Sequence, residues 1–489
     1  MIDPRGAWNQ CGHPPARRQV VADLPRRYNK GTLPSECDEV IMVNRVLCGA
    51  CMLFLPAAIV PGAVLHVPGA YSTIQAALDA AAKNDTILVA PGEYVITVPI
   101  NFNRRHDPSN PSSPAARDLV LASEAGPEAT KIRLSAAAAL ATRASVVEFL
   151  YGETARSVLD GFTLAGGRGI DNGAGVRQGG GVFCGRSSPT IRSCIISGNR
   201  AAAGGGMYAS SEAAPALINC VVAGNAAAQG GGVFVRSSAV VRIENCTLAA
   251  NTGDGLFCAM DCVAGPNPDE FTCYGPFSAL ANCIVWGNRG EAIGMDGGVG
   301  PKASYSCIGG DDVWPGKGNI DVDPLLVAIG VWNDAGTPGD LLDDVWSGGN
   351  LRLQEGSPCI DAGIDAGRAT MDIDGYARPC GAHVDMGAYE FGECVVTALG
   401  FMRGDANADA KVDIADVIHT LNFLFARGAP AVCRDAADSN DDGQIDIADG
   451  ITILSHLFGG GPPLPPPFNL CGLDLTIDAL GCNAYPHCP

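Results

Sequence analysis

The chain has 489 residues, room for two or three domains. Only 17% are charged and 6% aromatic, while Gly contributes 63, a composition suited to tight, repeated turns rather than to a bulky globular core. A formal net charge of −20 without any run of Lys or Arg argues against nucleic acid as a partner and fits cation binding.

Twenty cysteines are many for a cytosolic protein and ordinary for an exported one. An export signal is readable at "MVNRVLCGACMLFLPAAIVPGAVLHVPG", which begins at Met42: Arg45, an apolar run from Val46 to Val60, then the small residues Gly62 and Ala63. The run is about 15 residues, short for a membrane span. The expectation is a signal peptide over 42–63 with translation starting at Met42, a mis-assigned or disordered extension over 1–41, and a secreted or cell-surface product with no transmembrane anchor after signal removal.

Next comes "AYSTIQAALDAAAKNDTILVAPGEY". Ser72 or Thr73 can cap a helix in which Ile74, Ala77, Leu78 and Ala81 fall at helical spacing. Residues 86–90, "TILVA", form an apolar run of strand type stopped by Pro91-Gly92. One amphipathic helix ahead of many strands makes a lid for an open sheet end.

The middle of the chain repeats with a period of 25 to 26 residues: "GGGVFCGRSSPTIRSCIISGNRAAA" (179–203), "GGGMYASSEAAPALINCVVAGNAAAQ" (204–229) and "GGGVFVRSSAVVRIENCTLAANTGD" (230–254). Each unit holds a Gly triplet, short apolar strands, a Cys, and an Asn five residues after that Cys: Asn199, Asn225, Asn251 and Asn288 follow Cys194, Cys220, Cys246 and Cys283. None of these strands can bury its apolar face alone; stacked as coils about 4.8 Å apart they bury it together. The pattern predicts an all-β, right-handed parallel β-helix over 64–392, with the Asn residues left-handed and bonding up the stack, and with glycines supplying the bends. A leucine-rich solenoid would need a Leu ladder that is absent. These units, with the flanking "STIQAAL…LVAPGEY", "LRLQEGSPCIDAG" and "DIDGYARPCGAHVDMGAYEF", resemble polymorphic outer-membrane-type and pectin-lyase-like β-helix repeats over roughly 67–392. Such folds host lyases, hydrolases, adhesins and inert stalks alike.

Parallel stacking sets Cys194, Cys220 and Cys246 side by side, poor geometry for a bridge, so they read as buried thiols. Cys258, Cys262 and Cys273 in an inserted loop, and Cys359 with Cys380, are better bridge candidates.

Beyond a linker at 393–402, residues 395–489 contain twelve Asp, no Glu and four basic residues. Two 12-residue ladders, "DANADAKVDIAD" and "DSNDDGQIDIAD", carry them. Ca²⁺ wants six to eight oxygens, which such a loop supplies from positions 1, 3, 5, 7, 9 and 12. In the first loop these are Asp405, Asn407, Asp409, Lys411 (main chain), Asp413 and Asp416; in the second, Asp438, Asn440, Asp442, Gln444 (main chain), Asp446 and Asp449. Val412 and Ile445 at position 8 predict a short β contact between the loops. Each loop leads into a helix, with Ile418, Leu421, Leu424 and Phe425 matching Ile451, Leu454, Leu457 and Phe458. No amphipathic helix precedes either loop, and position 12 is Asp.

Duplicated loop-plus-one-helix units of this kind resemble a type I dockerin, here over 403–461. The resemblance implies two calcium ions that fold a small α-helical domain, and docking onto a cohesin-like or other surface protein. Two departures matter. Ala410 stands at position 6 of the first loop, where Gly is preferred (Gly443 is intact in the second), so the first site is expected to be the weaker. Positions 10 and 11, usually Ser-Thr, are Ile414-Ala415 and Ile447-Ala448, which makes the partner surface apolar. A Pro/Cys-rich tail, 462–489, follows: "PPLPPP" is a stiff spacer, and Cys433, Cys471, Cys482 and Cys488 are placed to staple it.

For catalysis, paired carboxylates about 6.5–9.5 Å apart on one face would serve an inverting hydrolase. Glu212, Glu244 and Asp254 in the clean repeats sit at unequal offsets and form no ladder. Asp261, Asp269 and Glu270 in the inserted loop are the catalytic candidates, and His383 reads as part of the closing motif. Two functions stay open: a non-catalytic extracellular or surface β-helix, associated with polysaccharide or surface assembly through its docking module, and a dockerin-borne polysaccharide lyase or glycoside hydrolase.

Overall fold

The computed structural model describes residues 62–107, 110, 112–136, 144–171, 173–236, 238–264, 271–274, 278–297, 300–333, 344–365, 369–392, 394, 400–426, 428–472, 480–482 and 485–488. The expected extension and most of the expected signal therefore lie outside the described residues.

The lid helix forms over Ile74–Ala80, and Thr73 is its cap: the Thr73 hydroxyl accepts the Ala76 N–H at 3.1 Å. Its buried face, Ile74, Ala77 and Leu78, closes the end of the stack against the first strands, Val64–Val67 and Thr86–Val89.

Among the described residues, three parallel sheets of nine, eight and seven strands then carry the chain to Ile308. The first runs from Val64–Val67 to Lys302–Ser304, the second from Gly92–Ile96 to Cys307–Ile308, and the third from Ile100–Asn101 to Ile293–Met295. Each coil visits the three in turn. Register is exact in period: Ile191 pairs with Leu217, Leu217 with Ile243 and Ile243 with Leu280, all pointing inward and all buried. Burying each such side chain stabilises by roughly 1.5–3 kcal/mol, which no single coil could realise alone.

The corners correct one expectation. The ladder asparagines are not left-handed. That conformation falls one residue earlier, at Gly198, Gly224, Ala250 and Gly287 (φ 68°, 64°, 53° and 61°), and again just before each ladder Cys, at Ser193, Asn219, Asn245 and Asn282 (φ 48° to 52°). The turn thereby frees each ladder amide to point into the stack. Asn225 Nδ2 donates to Ile196 O (2.8 Å) and Asn251 Oδ1 (3.1 Å), while its Oδ1 accepts both the main-chain N–H and the amide of Asn199 (3.1 Å each). Asn251 continues the ladder to Asn288 at 2.9 Å.

The Gly triplets do more than bend. Gly204 is left-handed (φ 66°), and Tyr208 packs over it so closely that a Cβ would lie 2.9 Å from the tyrosine Cβ. Gly205 and Gly206 let adjacent coils approach, since a Cβ at either would meet the next coil's carbonyl at 2.6 Å.

Cys194, Cys220, Cys246 and Cys283 are free, fully buried thiols. Each Sγ lies 3.4–3.7 Å from a carbonyl of the preceding coil. Burial pushes the thiols of Cys194 and Cys246 well up, and that of Cys283 to about 12. The bridge expectations for Cys258 and for Cys359 with Cys380 are corrected. Cys258 is a free, buried thiol in the strand Leu256–Ala259 and not part of the inserted loop. Cys359 is also free and buried, and Cys380 pairs with Cys394. Proximity in sequence suggested these pairs; the fold directs the Cys258 and Cys359 side chains into apolar clusters instead.

After Ile308 the second sheet is continued, among the described residues, by a single parallel bridge of Cys307 with Ile320. Antiparallel pairs, Leu326–Ala328 with Asn350–Leu353 and Val331–Asn333 with Val345–Ser347, lie beside the solenoid. The closing motif is tied by a fully buried ion pair, Arg378 to Glu390 at 3.2 Å, with Glu390 also accepting the N–H groups of Cys380 and Asp385. His383 pairs with Asp365 at the surface, 2.8 Å apart, in keeping with a structural part.

Candidate functional site

The two acidic ladders fold as two copies of one loop. In each, positions 4 and 6 are left-handed: Ala408 and Ala410 (φ 57° and 69°), Asp441 and Gly443 (φ 60° and 76°). Ala410 thus occupies the backbone region that made Gly the expected residue. In each loop the position-1 carboxylate accepts the N–H groups of positions 5 and 6: Asp405 from Asp409 and Ala410 (3.0 and 2.8 Å), Asp438 from Asp442 and Gly443 (3.2 and 2.8 Å). In each, the position-12 carboxylate reaches back over the loop: Asp416 to the N–H groups of Asn407 and Asp413 (3.1 and 2.9 Å), Asp449 to those of Asn440 and Asp446 (3.4 and 2.8 Å). Asn407 and Asn440 donate to Asp409 and Asp442 (3.1 and 3.2 Å), whose other oxygens accept from Lys411 N and Gln444 N (3.0 Å each). Asp413 and Asp446 take the N–H groups of Ala415 and Ala448 at the start of the two helices (2.7 and 2.6 Å).

Helices Ile414–Ala426 and Ile447–Phe458 pack on each other around Val417, Ile453 and Leu464. The expected β contact between Val412 and Ile445 is not formed among the described residues; the two side chains pack into different clusters. A single helical turn, Arg434–Ala437, stands before the second loop. Cys433–Cys482 and Cys471–Cys488 staple the tail as expected.

The loops suit a dication in part. Asp405, Asp416, Asp438 and Asp449 are fully buried, and burial raises Asp416 to about 6 and moves Asp438 and Asp449 upward as well. Arg403 stands near, on the carbonyl of Asp438 (2.7 Å) and the carboxylate of Asp441 (2.9 Å). Among the described residues no three His, Cys, Asp or Glu side chains converge on one point. The carboxylates instead hold main-chain N–H groups, and two of the six expected ligands per loop are an Asn amide and a peptide carbonyl.

On the solenoid, Asp261 opens a strand, Asp261–Ala264, paired antiparallel with Phe271–Tyr274, so the insertion is a β-hairpin with Cys262 opposite Cys273. Asp269 and Glu270 lie outside the described residues. The outer face of the first sheet carries a cleft of about 800 Å³, walled by Asp160, Thr190, Arg192 and Arg242 and, opposite, by Asp372 and Asp374. Its charges are largely matched: Arg192 to Asp160 (3.0 Å), Arg242 to Glu244 (2.9 Å), and Arg352 bidentate to Asp374 (2.6 Å twice). Asp372 is held by three main-chain N–H groups.

Sequence reasoning missed one row on the third sheet. Phe183, Tyr208, Phe234 and Phe257 stack face to face up its outer side, centroids 5.1–5.5 Å apart. Glu148 occupies the same row, in register with Phe183. Burial alone raises its carboxyl to about 7. The aromatic alternation Val-Phe, Met-Tyr, Val-Phe was visible in the repeats; Glu148 lies ahead of them, where the period is not yet clear.

The right-handed β-helix region family matches residues 168–310. The solenoid is a right-handed parallel β-helix. Among solved structures the chain is similar to a pectin methylesterase from carrot (16% identity, TM-score 0.30, covering 51% of this chain and 72% of that one). It is also similar to the pectate lyase Pel9A (14% identity, TM-score 0.28, covering 68% of this chain and 97% of that one). Neither likeness bears on activity. No curated protein matches the chain. No helix among the described residues is long and apolar enough to cross a membrane.

Proposed function

We propose that the protein is an extracellular β-helix bearing a calcium-dependent, dockerin-like docking module, and that it works in association with polysaccharide or a surface assembly. The observation that carries this is the duplication of the loop backbone and its hydrogen bonds, position for position, around four buried carboxylates. Each loop's Asp, Asn and position-7 carbonyl would hold one Ca²⁺, which supplies positive charge where the carboxylates crowd. Ile414, Ile418 and Phe425 on one helix, and Ile447, Ile451 and Phe458 on the other, are more than half exposed and form two matching apolar stripes for a cohesin-like or other protein partner. Titration calorimetry of the full chain with Ca²⁺ is expected to give two sites, reduced to one in Asp438→Ala. Heat for no site, or for sites untouched by that substitution, would remove the reading.

Glu148 favours a second reading, action on a glycan. It is a half-buried carboxyl raised into the range of a general acid, beside a row of rings. If the chain cleaves uronic or neutral glycans, Glu148→Gln is expected to lower turnover at least a hundredfold and to flatten the pH profile near 7. Cleavage at the wild-type rate would dismiss it. The docking reading stands first because the carboxylates of the large cleft are held by arginines and peptide groups.

A further inference from the structure

The tail beyond the second long helix returns to the first acidic loop. Main-chain bonds guide it there: Phe401 and Gly472 exchange both of their N–H···O bonds (2.9 and 3.1 Å), and Gly481 O accepts the Arg434 N–H at 3.1 Å. The disulfides Cys471–Cys488 and Cys433–Cys482 then fasten the tail on either side. Between them they deliver Tyr485 onto Asp405, 80 residues away in sequence. The Tyr485 ring is buried against Phe401, Cys433 and Ala436, and its hydroxyl donates to Asp405 Oδ2.

That oxygen already has a donor. The Ala410 N–H reaches Asp405 Oδ2 at 2.8 Å, while the Asp409 N–H takes Oδ1 at 3.0 Å. The second loop repeats both main-chain bonds at Asp438, from Gly443 and Asp442. Among the described residues, however, no side chain donates a hydrogen bond to the Asp438 carboxylate. This difference falls where the loops also differ in sequence. Ala410 holds a left-handed backbone (φ 69°) that Gly443 takes freely. The first loop has the less willing turn, and the carboxylate that holds this turn is the one the tail pins. Asp405 is fully buried, so these three donors set its orientation and water does not. A carboxylate fixed ahead of binding has less freedom to lose when an ion arrives.

We infer that Tyr485 is a positioning residue for calcium at the first loop, and that the disulfide-held tail raises that loop's affinity, making up in part for Ala410. The inference rests on the calcium binding proposed above and adds a determinant that lies outside both twelve-residue loops. Tyr485 acts through the Asp405 carboxylate and is not itself a ligand.

The test is titration calorimetry of the full chain with Ca²⁺ in two backgrounds. Asp438→Ala leaves the first site to be read alone, and Asp405→Ala the second. Tyr485→Phe keeps the ring and removes only the hydroxyl. It is expected to weaken the first site about tenfold, the worth of one hydrogen bond to a charged acceptor. The second site is expected to change by no more than about twofold. Cys471→Ser with Cys488→Ser frees the end of the tail and is expected to weaken the first site by a similar factor. Combined with Tyr485→Phe it should add little, because both changes act through one contact, whereas two independent losses of stability would add. Should the serine pair disturb folding, Tyr485→Phe in the two backgrounds still decides. If Tyr485→Phe leaves the first site unchanged, tightens it, or weakens both sites alike, the inference is overturned while the calcium reading stands. Absence of calcium heat in the wild-type chain would overturn both.

Discussion

Asn225→Ala is expected to destabilise the solenoid by about 3 kcal/mol or more, a large loss from one surface-remote methylene amide. Asn225 is fully buried and sits mid-ladder. Its removal strands the Asn199 N–H and the carbonyl of Ile196, and takes one partner each from the Asn199 amide, which keeps Leu164 O, and from Asn251 Oδ1, which keeps the main-chain N–H of position 225. A buried group left without its partner costs about 1–3 kcal/mol, and several are left at once. Asn288 makes a useful comparison because it ends the ladder and is only half-buried. Water can reach it, so Asn288→Ala is expected to cost about 1 kcal/mol. Asn225→Asp should be at least as damaging as the alanine, since a carboxylate would face the Ile196 carbonyl and the Asn251 oxygen without a proton to give. Chemical denaturation of the three variants measures the order. Equal midpoints for Asn225→Ala and Asn288→Ala would mean the ladder is decoration on a stack held by apolar rows alone.

The same ladder shows what the sequence could and could not convey. A period of 25 to 26 residues with Gly, Cys and Asn at constant offsets is enough to dictate stacked coils, because only stacking lets those short strands bury a face. The period does not say which residue of the corner turns left-handed. Asn at the ladder position and Gly or Ala before it satisfy the pattern equally, and the choice is made by the amide's need to point up the stack. Bridges were harder still. Cys359 and Cys380 are close in sequence, yet Cys359 enters an apolar cluster with Cys307 and Met386, leaving Cys380 to Cys394. The two acidic loops lie at the other extreme. Every position expected to hold an ion there sits within twelve residues, so local spacing alone pointed to a backbone that recurs in both copies.

Chelation is expected to separate the two parts of the molecule thermally. The solenoid owes its order to stacked apolar rows and buried amides, none of which involves a cation. The module around the two loops has small clusters, Val417 with Ile453 and Leu464, and Phe401 with Tyr485, set beside four buried carboxylates. A ligand that binds only the folded form stabilises by about 4 kcal/mol at a thousand times its Kd, so on the proposed calcium binding EDTA is expected to remove a large share of what holds so small a unit. Calorimetry should then show two transitions, of which one falls on EDTA addition and the other stays. The disulfides Cys433–Cys482 and Cys471–Cys488 limit how far the freed chain expands, so the lower transition should shift rather than vanish. The two loops are expected to differ in strength. Ala410 holds a left-handed backbone at φ 69°, which costs an alanine about 1–2 kcal/mol, where Gly443 takes the same conformation freely. Asp438→Ala is therefore expected to lower the calcium-dependent transition more than Asp405→Ala does, and Ala410→Gly to raise it. A single transition indifferent to chelator would mean that the ladders are acidic turns closed by their own peptide groups, and the docking reading would end with them.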